Sequence, residues 1–137
     1  EMESRYEIGL EQYVLSISVE ARSVLEMGST LILPAAVRYQ TELATNVAAL
    51  KAAGVEADAG QLNELTGLVN SLRSGLATLG DGIAHDGGDD LLAHAVFARD
   101  TLLPAMAAVR ESVDALEAVV ADNLWPLPTY QEMLFML

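Results

Sequence analysis

Two histidines, twenty carboxylates and no cysteine are the side chains from which this sequence can build a reactive centre. Without cysteine there is no thiolate metal site, no disulfide framework and no cysteine nucleophile. A di-iron carboxylate bundle needs inward glutamates and Glu-x-x-His pairs on facing helices, and no Glu-x-x-His occurs here. With His85 and His94 as the only imidazoles, a transition metal is short of ligands. Hard cations ask instead for several carboxylate and carbonyl oxygens, and Asp81, Asp86, Asp89 and Asp90 stand among Gly80, Gly82, Gly87 and Gly88. That stretch lacks the alternation and closing glutamate of an EF-hand loop, so its plainer reading is a connector over residues 80–90 with a helix cap at its end.

His94 raises the question of phosphorelay. In histidine phosphotransfer bundles an exposed helical histidine accepts the phosphoryl group beside a lysine and a glycine that leave room for the partner. Here Phe97 and Ala98 follow instead, which favours a histidine packed between helices. A free-standing helical binding or phosphotransfer module using His94 stands as the alternative function. Neither Gly-x-Ser-x-Gly nor a phosphate-binding Gly-x-x-x-x-Gly-Lys-Ser/Thr occurs, and carboxylates alone do not make a glycosidase without a cleft in which two converge. No catalytic, cofactor-binding or metal-ligating residue is assigned within these 137 residues.

The elements that would position such groups are helices. Leu10, Val14, Ile17, Ala21, Val24, Gly28 and Leu31 recur in steps of three and four and mark one packing seam. Glu7, Glu11, Glu20 and Arg22 fall off it, as a solvated or subunit-facing surface requires. Pro34 predicts a kink or tight break near Leu33, and Gly54 a left-handed cap where the next segment ends. Asp58 to Gln61 reads as a capping box. Behind it Leu62, Leu65, Val69, Leu72, Leu76 and Leu79 keep the spacing that packs helices nearly antiparallel. The last helix carries Leu92, Val96, Leu103, Met106, Val113, Leu116 and Val120, with Pro104 as a second kink and an end near Asp122. The expected fold is all-α: one domain over residues 1–137, an antiparallel bundle of about four helices with proline kinks and a proline-containing, extended tail over residues 123–137.

Charge removes two partner classes. Seven Lys and Arg against twenty Asp and Glu give a formal charge of −13, which repels nucleic-acid phosphates and the anionic face of a membrane. Hydrophobic residues make up 52%, yet helical intervals of charge interrupt them before the roughly 18 apolar residues that spanning requires. The start lacks a secretory signal's apolar stretch; the absence of cysteine leaves the redox compartment open, with the cytoplasm as the default location. Opening on Glu1 and closing on Met133-Leu134-Phe135-Met136-Leu137, the chain reads as cut from something larger, or more plainly as one with a processed tag at one end and a tail tucked into its own bundle at the other.

Two segments carry more information than any of these motifs. One is Ser4-Arg5-Tyr6-Glu7-Ile8 with Leu10-Glu11-Gln12-Tyr13-Val14, Val19-Glu20-Ala21-Arg22 and Leu33-Pro34-Ala35-Ala36-Val37-Arg38-Tyr39-Gln40. The other is Leu124-Trp125-Pro126-Leu127-Pro128-Thr129-Tyr130-Gln131-Glu132-Met133-Leu134-Phe135. Together they resemble the C-terminal helical region of type III glutamine synthetases, over essentially the whole chain and least between Val55 and Asp90. The resemblance implies a parent enzyme that joins ammonia to glutamate using ATP, with magnesium or manganese at its site and a large homo-oligomeric assembly. The parent's metal and nucleotide ligands would lie in the preceding catalytic domain, so none is carried onto this chain. The expected partners are that catalytic domain and neighbouring subunits. Trp125, the only tryptophan, would most simply anchor the tail against its own bundle; with Pro126, Pro128, Tyr130 and Phe135 it is also a candidate contact residue, because aromatic and apolar side chains concentrated in a non-helical tail suit an interface anchor.

Overall fold

The computed structural model describes residues 2–85 and 90–128. Helix α1 (Met2–Met27) runs into a π-helical turn (Gly28–Ile32) and on into α2 (Leu33–Ala52). After a short connection comes α3 (Gly60–Ala84). Helix α4 (Leu91–Phe97) likewise passes through a π-helical turn (Ala98–Leu102) into α5 (Leu103–Val119), and a single 3-10 turn (Asp122–Leu124) follows. Among the described residues every regular element is helical.

The expectation of about four helices needs correction: among the described residues α1 with α2 and α4 with α5 are two continuous rods, which with α3 make three. Helical dihedrals persist through Ile32 (φ −76, ψ −51) and Leu33 (φ −60, ψ −47), so Pro34 does not break the rod. Proline has no N–H and its ring collides with the carbonyl four residues back. In the π turn the Leu33 N–H reaches past that position to the Gly28 carbonyl, a wider turn that accommodates the ring. The same solution recurs at Pro104, where the Leu103 N–H donates to the Ala98 carbonyl. Ile32-Leu33-Pro34-Ala35 and Leu102-Leu103-Pro104-Ala105 are thus two copies of one local device.

Helix ends follow local chemistry. Gly54 adopts φ +78, its N–H donates to the Lys51 carbonyl and that of Val55 to Leu50; these two bonds satisfy carbonyls that the end of α2 leaves open. Asp58 does not form the expected capping box: its Oδ1 accepts the Gly60 N–H at 2.8 Å, while the Gln61 amide donates to the Tyr39 hydroxyl at 2.9 Å. Asp90 caps α4 by accepting the Leu92 N–H.

The core lies where α3 meets both rods. Leu65, Leu72, Leu79, Met106 and Leu116 are almost wholly buried, the kind of burial that stabilises by roughly 1.5–3 kcal/mol per large side chain. Gly28 sits against Leu76, Gly80 beside Leu25 and Gly75 beside Val109. Residue numbers therefore fall along α3 as they rise along α1 and α2. Gly80 and Gly82 belong to α3 rather than to the expected 80–90 connector, because packing against Leu25 and Leu102 outweighs glycine's poor helix propensity. Residues 86–89 of that connector lie outside the described residues.

Candidate functional site

The structure brings the two histidines to one cavity. His85 ends α3, with its Nδ1 2.9 Å from the Asp81 carbonyl, and half-buried His94 lies on α4. Both line a hollow of about 130 Å³ with Ser18 and Arg22 of α1. Sequence spacing gave no sign of this meeting, because it depends on how α1 crosses the α3–α4 connection. Arg22 brings a positive charge to this lining, where a divalent metal would need negative ligands. Among the described residues no three His, Asp or Glu side chains gather as a metal site would require, and no charged side chain is buried. Asp86 and Asp89 of the candidate cation loop lie outside the described residues.

The tail divides in two. Trp125, at 9% exposure, belongs to the chain's own core. Its neighbours Leu124 and Leu127 also pack against that core, and Leu127 shares a groove with Val24, Met27 and Val113. The indole's surface is thus used within the bundle. Pro126 and Pro128 are exposed, while Tyr130 and Phe135 lie outside the described residues.

Two further surfaces were not singled out by the tail motif. A groove of about 670 Å³ between α3 and α5 is lined by small residues, among them Ser71, Ser74, Thr78, Ala108 and Ser112. On α1, Tyr6, Ile8, Tyr13, Leu15 and Val19 are exposed. Ile8, Leu15 and Val19 are spaced by seven and four residues, which puts them in one stripe on the side away from Ile17 and Ala21. That spacing is visible in the sequence beside the inward seam of Leu10, Val14, Ile17 and Ala21.

Helix content also bears on membranes. Leu91–Val119, 29 residues, is long and apolar enough by composition to cross one. Its Ala98, Met106 and Leu116 are buried within the three-helix core, and a third of its most apolar window is covered by the chain itself.

Comparison with known proteins agrees with the resemblance read from both ends of the chain. The family model for the glutamine synthetase C-terminal domain matches residues 1–51, the rod made of α1, its π turn and most of α2. A type-3 glutamine synthetase from Dictyostelium discoideum is 32% identical over 148 residues, covering 99% of this chain and 20% of the relative. Glutamine synthetases from Butyrivibrio fibrisolvens and Bacteroides fragilis are 30% and 28% identical, covering 100% and 98% of this chain and 20% of each relative. The chain spans about a fifth of the length of the curated relatives it matches. It belongs to the glutamine synthetase C-terminal domain family and corresponds to the C-terminal part of those enzymes.

Proposed function

We propose that this chain is the non-catalytic C-terminal helical domain of a type III glutamine synthetase, and that it serves packing on the catalytic part or subunit assembly. The parent would ligate ammonia to glutamate at the expense of ATP, with magnesium or manganese held by residues of the preceding catalytic domain, as a cytoplasmic homo-oligomer. The observation that carries the reading is the alignment of nearly the whole chain with one fifth of each relative. Physical features support it. The described carboxylates are dispersed over the surface, and two rods cross their prolines unbroken, as a rigid appendage would need.

The test is truncation of the full-length protein. Removing all 137 residues should lower the assembly size measured by light scattering and reduce glutamine formation. Cutting after Asn123 removes Trp125 and its anchoring, and should weaken both less. A fully assembled, fully active protein lacking the whole domain would overturn the reading, as would glutamine formation by the 137 residues alone.

A further inference from the structure

We propose that the outward stripe of α1, formed by Ile8, Leu15 and Val19, is the surface on which the preceding part of a glutamine synthetase chain packs; this rests on the reading of the chain as that enzyme's C-terminal domain. Helix α1 begins at Met2, yet from residue 3 onward Ile17 is its first buried residue. Between residue 3 and Ile17 only Leu10 and Val14 are even half-buried. Residues 3–9, about two turns of helix, are therefore exposed throughout, and α4 lies under the turns that follow, where Leu10 and Tyr13 line a hollow with Leu92 and Ala95; so short a stretch of helix is marginal in water without tertiary support.

Those turns are apolar on two opposite sides. Leu10, Val14, Ile17 and Ala21 face the bundle, while Ile8, Leu15 and Val19 are 54%, 65% and 56% exposed on the other side. A helix on a bundle's surface carries polar residues outward, and one that is apolar all round is covered all round. Local helix stability does not explain the stripe, since Ile and Val are poorer helix formers than the Lys, Glu or Gln that an exposed position accepts. Five of the eleven large hydrophobics found exposed among the described residues fall on α1 between Tyr6 and Val19, so the surface is concentrated rather than scattered.

The relatives indicate the occupant. They are about five times as long as this chain, and the matched family is by description a C-terminal domain whose model covers the α1 rod. The remaining four fifths of such an enzyme thus precede α1 and enter the domain through it. A second copy of the domain is a poorer occupant, because it brings another formal charge of −13 against the first.

The 137 residues contain no cysteine, which permits a direct test in the full-length protein. Leu15→Cys and Val19→Cys replace exposed side chains and leave the bundle core untouched. Maleimide labelling, located by peptide mass spectrometry, should be about tenfold or more slower in the native protein than in urea. Equal rates would overturn the proposal. A photo-cross-linker at position 15 should capture a peptide from the region preceding α1; capture of α1 from a second copy would overturn it. If labelling is fast while removal of the whole domain still collapses the assembly, the stripe is wrong and the domain reading stands. If removal has no effect, the reading itself fails.

Discussion

Gly28 packs against Leu76 so closely that a Cβ added at position 28 would lie 2.7 Å from Leu76 Cδ2. The π turn opens at this glycine, so the contact ties that turn of the first rod to α3 at Leu76. Gly28→Ala must push aside the end of a buried leucine, and overpacking of this kind costs about 1–3 kcal/mol. The better helix propensity of alanine offsets up to about 1 kcal/mol. A net loss of stability is expected in urea unfolding. Gly67, with nothing within 4 Å of its added Cβ, is the control: Gly67→Ala should gain roughly 0.5–1 kcal/mol. Equal responses at the two glycines would show that the Leu76 contact is not tight.

The π turns set which residues face inward, and neighbouring alanine substitutions read that register. Ile32 is 1% exposed and Leu31 is 41% exposed; Leu102 is 5% and Leu103 37%. Ile32→Ala and Leu102→Ala should each cost about 2–5 kcal/mol. Leu31→Ala and Leu103→Ala should cost well under half as much. Thermal unfolding followed by circular dichroism gives the ranking, and a reversed order at either proline would mean that its π turn is absent.

The same turns explain what the sequence could and could not show. In α3 there is no irregularity, and Leu65, Val69, Leu72, Leu76 and Leu79 are buried as their three-and-four spacing predicts. In the first rod the seam holds through Ile17, Ala21 and Gly28, then passes from the expected Leu31 to Ile32, because a π turn adds one residue to the helical period. Ahead of Pro104, Leu92 and Val96 are exposed, while Ala95 and Ala98 are buried. There the closest helix approach selects small residues, which an apolar-periodicity reading passes over in favour of large ones. The cavity shared by His85, His94 and Arg22 joins residues from three helices, and no spacing along one chain segment encodes such a meeting.

Trp125 separates an internal anchor from an external one. Because the indole is buried in the bundle, Trp125→Ala should destabilise the chain by about 3 kcal/mol or more with no partner present. Pro126→Ala and Pro128→Ala, at exposed positions, should fall within about 0.5 kcal/mol. As the sole tryptophan, it also reports directly: native emission should be blue-shifted and move red on unfolding. Native emission like that of free tryptophan would contradict its burial.

Charge gives the last prediction. Arg99 Nε donates to Asp100 Oδ1 at 2.8 Å, and that hydrogen bond holds the Asp100 carboxyl below its ordinary range. A carboxylate whose pKa is depressed on folding stabilises fully above its unfolded value and loses that contribution as pH falls through the folded one. Asp100→Asn should therefore be less stable than the parent chain at pH 7, with the difference closing as pH drops below the usual carboxylate range. Both side chains are more than half exposed, so the effect should be small and should shrink with salt. Salt acts oppositely on the chain as a whole. A formal charge of −13 makes compaction work against self-repulsion, and screening within a Debye length of roughly 10 Å at 0.1 M relieves it. The melting temperature at pH 7 should rise as sodium chloride is added, even as the Asp100→Asn difference falls. A melting temperature that drops with salt would mean that local ion pairs such as Glu20 with Arg110 outweigh the net charge.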